Sequence, residues 1–439
     1  MNRSLSANGS VLEVLNSRSF SLNREFLFSV GIIIFGFALL PFFPALSNLI
    51  AILCLILSLH GRAAIGFIFI AVVLFILSLG INAASYQQFL YHESDFTSYY
   101  NNFLTFDEWF KGDWFVYSGG VEVGLPFINF FLSFILDEKP YLFLVAHLLI
   151  QTGLLIFLAK LIKKKFGLSL FEFGVLLGFL FAFYKYLGML NHMRQGYSSM
   201  FILIALYSSG KRKNAFIFIA CLFHLSTLLV YPLANLIYIS KNVKYKRCLV
   251  YLSIPAAFIF FFAFDFFGRL SSMDNFIMEK LLFTFKEREG YSVYISSVFY
   301  SFIKVVYLLP LFILNEFYSN KGSRKNLRLS MLAIIVPILS LSFLPSFISR
   351  LYEFVLVTSV GLLYFYFYMN CKAVGRLIAR SVVFGFILTL NFRWFILDDS
   401  FYARYPLFSS EPFYYFDSLA EESSKVSRFD LPPLEDINK

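Results

Sequence analysis

Residues 141–165 read YLFLVAHLLIQTGLLIFLAKLIKKK. The stretch 141–159 carries no formal charge, and Lys160, Lys163, Lys164 and Lys165 close it. An uncharged apolar run of about 17–25 residues is long enough to cross hydrocarbon as a helix. Lysines massed at one end of such a run mark the cytoplasmic side. The same pattern recurs along the chain. Of its 439 residues, 59% are hydrophobic, 21% aromatic and 15% charged, with 60 Phe alone. Soluble domains are about 25% charged, so composition excludes an ordinary soluble enzyme, a disordered chain and a disulfide scaffold. The formal charge of +10 lies in short clusters between apolar runs, which points to membrane topology rather than nucleic acid.

Candidate spans fall at 26–43, 45–59, 64–81, 141–159, 168–185, 195–209, 248–264, 297–315, 329–345, 351–370 and 381–397. They are apolar on all sides, whereas strands of a membrane barrel alternate polar and apolar positions. The chain is therefore predicted to be all-α, a polytopic membrane helical bundle of about eleven transmembrane helices plus one re-entrant or broken helix pair. The division that follows is a cytoplasmic amino-terminal tail over 1–25, a transmembrane domain over 26–398 and a polar carboxyl-terminal tail over 399–439. No signal-peptide cleavage pattern precedes the first apolar run, which should stay as an anchor.

The broken pair is inferred from Lys211–Arg212–Lys213 and Lys241. Only 27 residues separate Lys213 from Lys241, about 40 Å of helix, while two crossings need roughly 60 Å. Two half-length helices, broken near Phe223–His224–Leu225–Ser226 or Tyr231–Pro232, resolve the conflict; an ordinary single crossing would put one basic cluster on the wrong side. Further clusters at Lys321–Arg328 and Lys372–Arg380 complete the inner face, and residues 82–140 become the largest outer segment. Its aromatic content suggests helices lying along the membrane surface. Cys54, Cys221, Cys248 and Cys371 lie in or beside apolar runs with no metal or redox spacing, and read as structural thiols.

Several polar residues are not explained by topology. Arg194, within Asn191–His192–Met193–Arg194–Gln195, stands at an outer helix start, where a planar guanidinium and unpaired backbone amides suit an anion; snorkelling to headgroups is the plainer reading. Arg350, followed by Tyr352 and Glu353, repeats the situation, and the two arginines together could grip a diphosphate, unless Glu353 simply neutralises Arg350. His224 sits at the expected helix break, as a cavity base or as a structural hydrogen bond. Asp95, ahead of Tyr99, and Glu122, ahead of Gly124, are candidate bases for a sugar hydroxyl or ordinary loop acids. No histidine spacing suggests a metal.

In order and spacing, Asn191-x-x-Arg194–Gln195, Phe223–His224-x-Ser226, Arg350-x-Tyr352 and the earlier Asp95…Tyr99 and Glu122-x-Gly124 resemble the EpsG-like members of the Wzy polysaccharide polymerases, over roughly residues 28–400. Leu125 stands where that family more often has an aromatic residue. The resemblance implies a membrane glycosyltransferase of the bacterial inner membrane with its site facing the periplasm. It would polymerise oligosaccharide repeat units carried on undecaprenyl diphosphate, moving a growing glycan from one lipid carrier to another lipid-linked unit. Nucleotide sugar, metal and other cofactors are not implied. Such enzymes serve O-antigen, lipopolysaccharide, capsule and exopolysaccharide biosynthesis beside a flippase and a chain-length regulator. On this resemblance Arg194 and Arg350 bind diphosphate, His224, Glu122 and Asp95 are catalytic candidates, and Asn191, Gln195, Ser226 and Tyr352 support them. A lipid-linked-sugar flippase or transporter, a polyprenyl-phosphate-dependent glycosyltransferase and an O-antigen ligase are the rival readings. A flippase should carry its charges deeper in the spans, and a polyprenyl-phosphate enzyme should carry acids in the first outer loop, which here is a tight turn at Phe42–Pro44.

Overall fold

The computed structural model describes residues 27–59, 64–84, 95–107, 112–184, 186, 192–269, 299, 301–302, 305–342 and 354–396. All regular structure among them is helical, apart from an isolated bridge between Ser319 and Cys371. The helices are α1 (Leu27–Leu39), α2 (Pro44–Leu57), α3 (Ala64–Ala84), α4 (Asp95–Leu104), α5 (Gly124–Ser133), α6 (Pro140–Phe166), α7 (Leu170–Phe183) and α8 (Met193–Tyr207). There follow α9 (Gly210–Phe223), α10 (Thr227–Ala234), α11 (Val243–Arg269), α12 (Leu309–Tyr318), α13 (Lys321–Ser340), α14 (Phe354–Asn370) and α15 (Ala373–Ile396).

The expectation of an eleven-span polytopic bundle is corrected by these helices. Among the described residues only Ala64–Asn82 and Pro140–Phe166 are long and apolar enough to cross a membrane. The remaining apolar helices, such as Pro44–Leu57, Leu170–Phe183 and Thr227–Ile239, are 10–17 residues long. Hydropathy sees an apolar run but not where its helix stops. The run 168–185 shows why. Ser169 and Glu172 form a capping box that starts α7, with Ser169 N–H donating to Glu172 Oε2 at 2.9 Å, and Tyr184 ends it in extended backbone. Fourteen residues span about 21 Å, short of the roughly 30 Å of hydrocarbon, and Val175–Phe183 are buried against protein. The longer helices α11, α13 and α15 instead take basic clusters into their own length: Lys244, Lys246 and Arg247; Lys321, Arg324, Lys325 and Arg328; Arg376 and Arg380.

Helix α7 lies between α2 and α14. A Cβ at Gly178 would come within 2.9 Å of the Ile56 backbone nitrogen, and one at Gly361 within 2.4 Å of the Phe179 carbonyl. Small residues there let three helices meet almost backbone to backbone. On the other flank α8 packs on α6, α9 and α10, and α11 packs on α13. The seam between α11 and α13 holds an ammonium. Lys246 is 1% exposed, and its Nζ donates to the Ile237 carbonyl (3.1 Å), Asn326 Oδ1 (2.8 Å) and Ser330 Oγ (2.7 Å). Ile237 belongs to the π-helical turn Asn235–Ile239 that follows Pro232; this turn offers carbonyls that an uninterrupted α-helix would have used.

Between α9 and α10 the chain breaks at His224–Ser226, within the stretch the charge spacing singled out. His224 is extended (φ −158°, ψ 123°). Thr227 repairs the break: its hydroxyl lies 3.0 Å from the Ala220 carbonyl and 2.7 Å from the His224 carbonyl, and meets Ser198 Oγ at 2.6 Å. All four cysteines are free.

Candidate functional site

Three separate segments converge at the α9–α10 break. Glu122 comes from the turn ahead of α5, where Gly119 and Gly120 adopt left-handed backbone (φ +67° and +88°) that residues with a Cβ avoid. Arg194 lies in the first turn of α8, and His224 and Leu225 form the break itself. The turn directs the Glu122 carboxylate inward until it is 1% exposed. Arg194 Nη1 donates to Glu122 Oε2 at 2.5 Å, and the Leu225 N–H, freed by the break, donates to Oε1 at 3.0 Å. His224 Nδ1 stands 3.2 Å from the same Oε1. Burial on its own would raise the pKa of Glu122. The hydrogen bond from His224 and, once that ring is protonated, its charge act with Arg194 and the Leu225 N–H to outweigh it and hold the carboxyl down to about 2.

Hydrogen-bond logic selects the imidazole tautomer. Gln195 Nε2 lies 2.8 Å from His224 Nε2. An amide NH2 can only donate, so Nε2 is the bare nitrogen and Nδ1 carries the proton toward Glu122. The Ser226 N–H is aimed as a donor at the same Nδ1 at 3.3 Å, at the long end of the range for N–H donors, and competes with Glu122 for that nitrogen. The result is a carboxylate that orients an imidazole whose basic nitrogen faces away from it. That is the geometry of a base and its orienting acid.

Arg194 is enclosed by rings. Its Cζ lies 4.5 Å from the Tyr117 centroid and 5.8 Å from that of Tyr99. Burial pushes the Tyr99 phenol up to about 12 and Tyr117 higher still, so neutral rings face the guanidinium. Tyr117 Oη donates to the Ser98 carbonyl (3.2 Å), and Asn129 Nδ2 donates to the Tyr99 carbonyl (3.2 Å) and Asn102 Oδ1 (2.9 Å), fixing α4 against α5. The Arg194 side chain remains 25% exposed, with a buried Nε that has no hydrogen-bond partner.

Asp95 begins α4, one turn before Tyr99. Its Oδ2 pairs with His192 Nδ1 at 3.0 Å, both side chains about half exposed, at the start of the helix that carries Arg194. The structure therefore brings Glu122, Arg194, Gln195 and His224 together, with the Ser226 backbone beside them and Asp95 at the rim. Asn191, Arg350 and Tyr352 lie outside the described residues. Sequence reasoning missed Tyr117, the Leu225 amide and the His192–Asp95 pair. Only the last left a signal, in the crowding of polar residues around Arg194. Among the described residues no three His, Cys, Asp or Glu side chains converge to hold a metal ion.

These observations define the class: an all-helical, membrane-associated protein whose buried carboxylate, arginine and histidine meet at a helix break. The chain belongs to the EpsG family, whose model matches residues 67–407. With that membership comes the family's general activity, polysaccharide polymerisation of the Wzy type, and an enzymatic role. Searches of curated proteins and of solved structures give no match.

Proposed function

We propose that the protein polymerises undecaprenyl-diphosphate-linked oligosaccharide repeat units on the outer face of the bacterial inner membrane. The observation that carries this reading is the Glu122–His224–Gln195 alignment beside Arg194. A diphosphate is already a good leaving group, so the chemistry asks for an oriented acceptor hydroxyl, one base and positive charge near the departing oxygens. His224 Nε2 is the base. In the resting site it accepts from Gln195; the acceptor hydroxyl replaces that amide as donor. As its oxygen bonds to the anomeric carbon of the donor glycan, its proton passes to Nε2. The bond to the diphosphate breaks, and the electron pair leaves with it. Glu122, held near a pKa of about 2, is too weak a base for neutral pH and acts by orienting Nδ1–H and facing the imidazolium that forms. Arg194 gives Nη1 to Glu122 and offers the rest of its fork to the diphosphate, with Arg350 as a second contact. Asp95 and His192 line the entrance, and Asn191, Ser226 and Tyr352 support the first groups.

The finer localisation belongs to the same proposal: amino-terminal tail and basic clusters in the cytoplasm, the 82–140 segment in the periplasm, a membrane domain over 26–398 and a polar tail beyond it. A flippase and a chain-length regulator of the pathway are the expected partners. Cysteine placed at Ser98 should react with an impermeant thiol reagent in intact spheroplasts, and at Ser323 only after lysis; the reverse overturns the orientation. For the activity, cells carrying His224→Gln or Arg194→Ala should hold single lipid-linked repeat units when compared with wild type at matched protein level. Normal chain lengths in both would remove these residues from the mechanism, and full-length chains left unattached would identify a ligase instead.

A further inference from the structure

We infer that Tyr197 is a positioning residue for His224, locked from inside α6 by His147; the inference rests on the reading of His224 as the base. His147 is fully buried within the apolar run 141–159, where an imidazole is costly. Its Nδ1 lies 2.8 Å from Tyr197 Oη, and that hydroxyl is 3.4 Å from the His147 carbonyl. His147 Nε2 is buried with no hydrogen-bond partner. The only hydrogen-bonding group its ring meets among the described residues is thus the Tyr197 hydroxyl, so holding that phenol is what the imidazole does here.

Tyr197 transmits the constraint. It sits on α8, three residues after Arg194 and two after Gln195, with no exposed surface. Its ring stacks on Phe223 with centroids 4.9 Å apart and planes at 26°. Phe223 is the last residue of α9, immediately before His224. The Phe223 ring also presses on Gly124, where a Cβ would come within 2.8 Å of ring atoms, and Gly124 follows Glu122 by two residues. One stack, Tyr197 on Phe223 against Gly124, therefore underlies both the imidazole and the carboxylate that orients it. Rotating the phenol would shift Phe223 and, with it, the His224 Nε2 to Gln195 register. Neither Tyr197 nor His147 touches Glu122 or His224 by any hydrogen bond, so the effect is one of placement.

The test uses full-length protein in lipid discs, supplied with lipid-linked repeat units extracted from cells lacking the polymerase. Tyr197→Phe keeps the stack and loses the lock; His147→Phe loses the lock from the other side. Each should lower kcat roughly tenfold, in line with what a sub-ångström misplacement costs a catalytic group, with KM within about twofold. The double variant should be no slower than either single one, because both remove the same hydrogen bond. Tyr197→Leu, which also loses the stack, should be roughly a hundredfold slower. Full kcat per inserted molecule in both single variants would overturn the inference, as would a double variant in which the two losses multiply. His224→Gln runs beside them as a separate arm. Wild-type turnover there defeats the base reading itself, whereas an inactive His224→Gln with fully active Tyr197→Phe defeats only the positioning role.

Discussion

Replacing Glu122 by Gln tests the centre of the site most directly. The substitution keeps size and one acceptor oxygen, so the Leu225 N–H can stay bonded, but it removes the charge and presents an NH2 to Arg194 or His224. Two estimates of the cost agree. The carboxyl is held from about 4.5 down to about 2, and at 1.36 kcal/mol per pKa unit that is about 3 kcal/mol of differential stabilisation. Removing one member of a buried ion pair independently costs about 3–5 kcal/mol, because the other charge is left unpaired.

The pH dependence has a definite sign. A carboxyl whose folded pKa lies below its unfolded value contributes stability that is complete above about pH 4.5 and is lost as pH falls toward 2. Purified protein in detergent, unfolded by denaturant at pH 7 and across the acid range, supplies the measurement. Wild type should lose about 3 kcal/mol more than Glu122→Gln between pH 5 and 2, and the two curves should converge in acid. A variant within about 1 kcal/mol of wild type at pH 7, with the same acid limb, would refute the pairing.

Arg194→Lys retains charge but cannot keep the planar fork between Glu122 and an incoming anion, so polymer chains should shorten while protein abundance falls less than in Arg194→Ala; glycan sizing against immunoblot reads both. Lys246→Met takes the donor from Asn326 Oδ1 and Ser330 Oγ, while the Ile237 carbonyl keeps the Ser330 hydroxyl; the change should cost about 1–3 kcal/mol and lower the amount of inserted protein without changing chain length per molecule. Gly361→Ala drives a methyl toward the Phe179 carbonyl, 2.4 Å away, and the overpacking should cost about 1–3 kcal/mol, read as a lower unfolding midpoint in detergent.

How much of this was legible in the sequence depended on distance along the chain. The α9–α10 break was, because two basic clusters stood too close for a hairpin. Gln195 and His224 were linked only through the family resemblance; the structure brings them together across 29 residues because α8 and α9 are neighbours in sequence and pack together. Glu122 stood out as a carboxylate, but its partners lie 72 and 103 residues away, and no periodicity encodes such a meeting. Taken alone it reads as a base or an ordinary loop acid; the structure sets it between Arg194 and the Leu225 amide. The crossing count failed for the opposite reason. An apolar run carries no mark of whether lipid or protein surrounds it, and α7 buries its run against α2 and α14.

A buried ion pair is a weak fastener, since apolar groups of the same shape hold a fold as well or better. Glu122 and Arg194 are better understood by what apolar packing could not do at this position. The α9–α10 break leaves the Leu225 and Ser226 N–H groups without backbone acceptors, and a carboxylate satisfies the first. The same carboxylate takes the proton side of His224, and Arg194 keeps the carboxylate ionised and in place. Each group answers a need created by the one before it, and in the proposed mechanism the sequence of needs ends at His224 Nε2, whose partner, the Gln195 amide, gives way to the acceptor hydroxyl.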